Sequence, residues 1–475
     1  MTSKPRHLHP LALVFFLYYS FKDLFFPIII AILGITNLKA KNCTLLLFIV
    51  IALIIILITI GRYLKFTYQI TNKEIIINSG IIEKKINHVP YDRIQNITTN
   101  QWFFLKPFNL TELEIETAGH AEKAEVELRA VPNALRQELD LLRSKNIKKQ
   151  KNTDQVSLSN SYMIKWRDLL KFAFTSSTFL SGLLVVLAIY GKLQNVISKQ
   201  IYQTAASKFS HLGFLIIIIL ILLILFIFYL GSVLVLISQY YHFKLTETDN
   251  KFETTRGLFQ TKQTSISRKR IQAIIIKQTF LRNILHIATV QLMNISNSKK
   301  GDTEKDVVVM PVIRINELNQ FMEKFFPDVP FETTPVHPLH WTYYYNLRNA
   351  TFFTLLTLIS IIWIFHNWLW VCAILSIVGI IIWYVPAILS CQRSQVNSPN
   401  ENFLLLQNNR FMTKNLILIP KNAIQFIEKR TSIWLEQKNL SGLSVNVRAG
   451  NIQRKFKVSY LAKNDIDLVT KWYRK

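Results

Sequence analysis

Few side chains in this sequence stand at spacings that chemistry would use. His7-Leu8-His9 and His337-Pro338-Leu339-His340 each offer two imidazoles to one metal ion, and Glu112, Glu114 and Glu116 form a row of carboxylates. A bound metal asks for roughly three or four convergent ligands. Both histidine pairs instead precede a long apolar stretch, where amphipathic side chains suit a membrane interface. The glutamates alternate with Leu113, Ile115 and Thr117, the pattern of a half-buried antiparallel strand with a solvated outer face. His88, His120, His242 and His286 have no partner at a recognisable spacing. Cys43, Cys372 and Cys391 lie in or beside apolar runs and define neither a disulfide framework nor a zinc site. No phosphate-binding loop, nucleophile elbow, zincin helix or dinucleotide fingerprint occurs. These residues predict neither an enzyme nor a cofactor or metal site.

Cationic clusters are what remain. Arg268-Lys269-Arg270 occupies a turn that recurs as Tyr91-Asp92-Arg93 and Lys421-Asn422-Ala423, and Arg454-Lys455-Phe456-Lys457 mixes cations with an aromatic ring. Near an anionic bilayer each added Lys or Arg contributes ~1 kcal/mol of attraction. Arg93, Arg268, Lys269, Arg270, Lys421, Arg454, Lys455 and Lys457 are therefore the candidate contacts to anionic lipid headgroups or a protein partner. Nucleic acid is a second reading of the formal charge of +27, and no other feature supports it.

The elements that must position these residues are of two kinds. Half of the 475 residues are hydrophobic, and they concentrate in six segments that come in pairs. The pairs are Leu11–Ile35 with Leu45–Ile60, Leu169–Tyr190 with Leu212–Ser238, and Ala350–Phe365 with Val371–Leu389. Crossing ~30 Å of hydrocarbon takes about 20 residues, so the sequence predicts three membrane hairpins. Lys22-Asp23, Arg167-Asp168 and Arg348-Asn349 sit where an aromatic stretch meets the first arm of each hairpin, a placement suited to the headgroup belt. The N-terminus lacks a small-residue cleavage site and reads as a retained anchor. Between the hairpins lie polar regions with 16 basic and 13 acidic residues (64–168), 15 and 10 (241–348), and 15 and 5 (391–475). Loops within the hairpins are short or lightly charged. The positive-inside rule puts the N-terminus and all three polar regions in the cytoplasm.

The polar regions repeat. Val89–His120, Ile266–Asn297 and Ile419–Gly450 align without gaps, superposing Ile94-Gln95, Ile271-Gln272 and Ile424-Gln425. Apolar positions follow in register: Ile97, Ile274 and Ile427; Phe103, Phe280 and Ile433; Leu110, Ile287 and Leu440; Leu113, Val290 and Leu443. Period-two alternation gives short strands. Gly80 and Gly257 mark turns among them, with Asn415 in that place in the third copy. Each copy ends in a helical pattern carrying Leu135, Leu139 and Leu142, then Leu318, Phe321, Met322 and Phe325, then Ile466, Val469 and Trp472.

Six or seven short strands closed by one helix, three times over and each after an apolar hairpin, resemble the bacterial PH-like, membrane-flanked domain family, in particular its long members with three such domains. The resemblance covers nearly the whole chain. Ala423, in place of the turn arginine, is its clearest departure. The fold it implies is a multi-pass α-helical membrane protein with three PH-like β-barrel domains, each antiparallel β plus one C-terminal helix. The expected boundaries are an interfacial segment and first hairpin at 1–63, PH-like domain 1 at 64–147 and a linker at 148–168. The second hairpin at 169–240, domain 2 at 241–327 and a linker at 328–349 follow. The third hairpin at 350–390 and domain 3 at 391–475 complete the chain. The function implied is a non-catalytic scaffold in the cell membrane, acting with a shorter single-domain relative and supporting tolerance of membrane-active antimicrobials. A transporter or channel is the alternative. Leu45–Ile60, Leu212–Ser238 and Val371–Leu389 carry no charged residue, whereas transport pathways usually place ionisable groups within their spans.

Overall fold

The computed structural model describes residues 4–22, 41–81, 83–117, 126–148, 160–176, 214–248, 251–294, 306–331, 338–365, 369–449 and 452–474. Asp23, the first hairpin's arm over 24–35, the second hairpin's arm beyond Ser176, the loop at 191–211, His120 and His337 lie outside them.

The chain opens with β1 (Arg6–His7), α1 (Ala12–Lys22) and α2 (Lys41–Lys65). The first repeat follows as β2 (Thr67–Ile70), β3 (Glu74–Ser79), β4 (Lys85–Pro90), β5 (Ile94–Trp102), β6 (Leu110–Thr117), β7 (Val126–Pro132) and α3 (Ala134–Lys148). Then come β8 (Ser161–Met163), α4 (Trp166–Phe174) and α5 (Phe214–Tyr240). The second repeat is β9 (Lys244–Thr248), β10 (Lys251–Arg256), β11 (Gln260–Ser267), β12 (Ile271–Gln278), α6 (Phe280–Ile284), β13 (Ile287–Asn294), β14 (Val307–Arg314) and α7 (Ile315–Phe325). After α8 (His340–Phe365) and α9 (Leu369–Arg393) the third repeat runs β15 (Gln395–Asn397), β16 (Phe403–Arg410), β17 (Thr413–Pro420), β18 (Ile424–Arg430), α10 (Ile433–Glu436), β19 (Leu440–Ala449), β20 (Ile452–Ala462) and α11 (Lys463–Arg474).

Two compact units result. The first comprises 1–159, 248–267 and 296–303, and the second 160–247, 268–295 and 304–475. In the first unit β1-β2-β3-β4 form one antiparallel sheet, and β7-β6-β5 continue through β11 into β10. Thr98 of β5 faces Thr264 of β11. Tyr68, Ile75, Ile77, Ile94, Ile97, Leu113 and Ile115 alternate inward from these sheets and meet Ala12, Phe15 and Phe16 of α1 and Leu135 and Leu139 of α3. In the second unit β14-β13-β12 continue through β17 into β16 and β15, with Ile275 facing Ile417, while β18-β19-β20 stand as a further sheet. Its core gathers Ile275, Leu404, Leu406, Ile417, Leu443, Val445 and Val447 under Ile466 and Val469 of α11.

The expected multi-pass helical protein with three PH-like barrels is overturned. The described residues form a mainly β-sheet structure of several antiparallel sheets with few helices. Two of those helices, Leu222–Tyr240 and Leu369–Arg393, are long and apolar enough to cross a membrane. The described starts of two other apolar runs pack on sheets, and composition alone does not separate a spanning helix from one that does so. Ala12–Lys22 forms the short helix α1, which buries Ala12, Phe15 and Phe16 in the core of the first unit. Leu169, Phe172 and Ala173 of α4 are likewise buried, with α4 lying on β14. Closed barrels fail because the first strand of each second half-sheet, β5 or β12, takes its second neighbour from the following repeat.

Two finer expectations also change. Gly80 and Gly257 adopt φ of 99° and 115°, where an added Cβ would strike the carbonyl oxygens of Glu83 and Gln260. The third copy turns instead at Phe411 and Met412, both at positive φ, and Asn415 lies within β17. Glu112 is buried, not solvated: Phe16 and Tyr19 of α1 lie over Arg129, which reaches to 3.9 Å from the Glu112 carboxylate.

Candidate functional site

In each repeat the chain leaves the second half-sheet between its first two strands for a short apolar turn: Phe103–Asn109 after β5, α6 after β12, and α10 after β18. Every turn ends on a left-handed residue at the same aligned position: Asn109 (φ 51°), His286 (φ 52°) and Asn439 (φ 53°). The carbonyl of that residue accepts a backbone hydrogen bond from the start of the repeat's closing helix, from Asn133 at 3.0 Å, Ile315 at 3.1 Å and Lys463 at 2.9 Å. The turns are therefore pinned, and what they present outward is fixed by the fold.

They present large apolar side chains. Phe103 is 61% exposed, Phe280 45%, Ile433 77% and Trp434 73%, and Phe108, Leu281, Ile284 and Leu285 are exposed beside them. Full burial of such a side chain is worth about 1.5–3 kcal/mol, so three equivalent tips held in water form a recurrent cost. Grouped exposed apolar residues mark sites that meet a membrane or another surface.

Each tip adjoins an aromatic helix of its own repeat. In the first, Phe104 lies 5.7 Å from Phe15 of α1, and Phe108 lies 5.9 Å from His9, ring to ring. In the second, Arg282 under α6 is buried, donates to Thr175 Oγ1 at 3.2 Å and Thr289 Oγ1 at 2.6 Å, and stacks 4.8 Å from the ring of Phe172 in α4. Burial lowers the pKa of Arg282 to about 10, which leaves it charged at neutral pH. In the third, Tyr345 of α8 donates its hydroxyl to the carbonyl of Trp434 at 3.3 Å, and Lys438 sits 3.9 Å over the ring of Trp341. In the second and third repeats a cation thus lies over an aromatic ring beside the tip, and aromatic residues with nearby cations suit a headgroup layer.

The cations singled out in the sequence divide into two groups. Arg268 donates to the carbonyl of Phe325 and lies 3.5 Å from Glu247. Lys421 donates to the carbonyl of Trp472 at 3.1 Å and lies over that ring. Both therefore reach the C-terminal end of their own repeat's closing helix, where the macrodipole favours positive charge. Tyr91, at the aligned position, gives its hydroxyl to the carbonyl of Thr71 at 2.6 Å. Arg454 pairs with Asp306 at 2.6 Å, and Lys455 pairs with Glu428. Arg93, Lys269 and Lys457 point to solvent, and Arg270 is half-buried in its turn. Sequence alignment did superpose Phe103, Phe280 and Ile433; the signal that they are tips was the break in alternation at these positions. Among the described residues no group of three or more His, Cys, Asp or Glu side chains is arranged to hold a metal ion.

Two comparisons bear on this arrangement. The model of the bacterial PH domain family matches residues 25–145 and 193–325. The UPF0699 transmembrane protein YdbT of Bacillus subtilis (strain 168) is 23% identical over 495 residues, an alignment covering 100% of this chain and 99% of the relative.

Proposed function

We propose, from the premise that the chain belongs to the bacterial PH domain family, that it is a non-catalytic scaffold whose apolar tips dock into the headgroup layer of the cell membrane. The observation that carries this reading is the threefold recurrence of an exposed apolar tip beside an aromatic helix. A relative named as a transmembrane protein supports membrane attachment, and the two apolar helices supply a means. Arg93, Lys269 and Lys457, exposed on cytoplasmic faces, add attraction to anionic lipid. Arg268, Lys421, Arg454 and Lys455 serve the fold instead. Partners bound on the remaining surfaces are held at the bilayer by the same contacts.

The test places an environment-sensitive fluorophore at Trp434→Cys in the full chain, with Cys43, Cys372 and Cys391 replaced by Ala, in vesicles containing anionic lipid. Leu468→Cys, on an exposed face of α11, serves as the reference. Emission at position 434 is expected to shift to the blue and to be quenched by spin-labelled lipid, with position 468 remaining in water. Equal behaviour at the two positions sinks the proposal.

A further inference from the structure

We infer that the open edge of β18 takes strand β4 of a second copy of this chain, in the pairing that β5–β11 and β12–β17 already make within one chain. The repeat offset that aligns Ile94 with Ile271 and Ile424 carries Thr98 onto Ile275 and Thr264 onto Ile417. Thr98 faces Thr264, and Ile275 faces Ile417, so the two joints share one register. Each joins the first strand of a second half-sheet to the third strand of the first half-sheet in the repeat that follows.

Two strands of these types are left over. β18 is the strand of the first type in the third repeat, and β4 is the strand of the second type in the first. Among the described strands β18 pairs with β19, β4 pairs with β3, and each has an open second edge. Burial follows this difference. Ile274, Ile275 and Ile276 of β12 and Leu416 to Ile419 of β17 are buried, whereas Phe426 of β18 and Ile86 of β4 are exposed. The open stretch of β18 begins past Gln425, whose carbonyl accepts from the Tyr473 hydroxyl at 3.2 Å.

The fold thus states what covers this edge, because the same type of strand covers it twice already. Carried through the repeat offset, the shared register sets Glu428 opposite Asn87 of the second copy, Lys429 opposite Ile86 and Arg430 opposite Lys85. Main-chain pairing of this kind adds a strand to an exposed sheet edge. One copy offers β18 and the next offers β4, so the joint is head-to-tail.

Charge decides when it forms. Lys84 and Lys85 on one side meet Lys429 and Arg430 on the other, and two carboxylates, Glu428 (3.0 Å from Arg430 and paired with Lys455) and Asp467 (paired with Lys429), offset part of this excess. Charged edges of this sort keep strands apart, and salt screens them. Association is therefore expected to strengthen as ionic strength rises, the reverse of an ion-pair contact.

The experiment uses full-length chains without native cysteines, carrying either Glu428→Cys or Asn87→Cys, co-expressed in one membrane with different tags, and the isolated membranes are treated with copper phenanthroline and air as the thiol oxidant. Opposed residues of antiparallel strands lie about 4.5–5.5 Å apart at Cα, within disulfide reach. The expected result is a disulfide-linked dimer containing both tags, absent when either variant is expressed alone and lost when Ile86→Cys replaces Asn87→Cys. Dimers in the single-variant samples, equal cross-linking through Ile86→Cys, or no dimer from co-expressed chains that elute like their parent would each overturn the inference. So would a chain bearing both cysteines that cross-links only within itself. Light scattering on the parent in detergent gives an independent readout. Its mass is expected to grow with salt, and a mass fixed at one copy from low to high salt overturns the proposal.

Discussion

Burial, reinforced by the charge of Glu114 and opposed by Arg129, raises the pKa of Glu112 to about 7 from an ordinary 4.5. The indole of Trp102 donates to its Oε2 at 3.4 Å, and Arg129 lies 3.9 Å from Oε1 while stacking 4.1 Å from the ring of Tyr19. A carboxyl whose folded pKa is raised favours the folded state when protonated. Its contribution is full below about pH 4.5 and is lost as pH rises through about 7. The difference corresponds to roughly 3 kcal/mol at most. Glu112→Gln, which stays neutral, is expected to remove this dependence. Hydrogen exchange of the amides of β6 at pH 5 and pH 8, corrected for intrinsic rates, provides the measurement. Wild-type protection should fall across that interval and the variant's should not; parallel behaviour would refute the assignment. The alternation of Glu112 with Leu113 located the strand correctly. Which face was wet was not encoded there, because the α1 rings over Arg129 come from about a hundred residues earlier in the chain.

At the scale of elements, the closing helices were legible and their anchoring was not. The spacing of Leu318, Phe321, Met322 and Phe325 defines the buried stripe of α7, and Ile466 and Val469 define that of α11. The basic turns before β12 and β18 were equally visible, yet that their leading cations reach the ends of these helices was not. That reach depends on folding α11 back to the corner at Lys421, some forty residues upstream. Replacing Lys421 by Met should therefore cost about 0.5–1 kcal/mol through lost interaction with the last turn, and Lys421→Arg should retain most of it. Thermal unfolding of the three proteins gives the ranking. A Met variant as stable as wild type would return Lys421 to the pool of surface cations available to lipid. The apolar tips belong to this scale too. Sequence alignment superposed Phe103, Phe280 and Ile433, but an aligned apolar residue signals core or tip equally until its strand is known to have ended.

In the second unit the largest departure from expectation concerns which strands pair. Periodicity specifies that a strand exists and which of its faces is apolar. It does not specify a neighbour more than a hundred residues away, as Ile275 and Ile417 are. The consequence is that the second and third repeats share one sheet. Strand β12 has both edges occupied, one by β13 and the other by β17. Asp306 beside β14 is held by Arg454 of β20 at 2.6 Å and Lys277 of β12 at 3.7 Å. Removing residues 391–475 would strip β15–β17 from this sheet and leave the edge of β12, with Ile274, Ile275 and Ile276, open to solvent. A long, apolar, unpaired edge is an aggregation site, and Asp306 would lose one of its two cations. The truncated chain, ending after Ser390, is thus expected to aggregate on extraction under conditions where the full chain stays monodisperse. If each repeat closed on itself, as an independent barrel would, the same truncation would leave the first two repeats soluble and folded. Size-exclusion profiles of the two proteins separate these outcomes. A monodisperse truncated chain with native exchange protection in β12 would show that the pairing of β12 with β17 contributes little to holding this unit together.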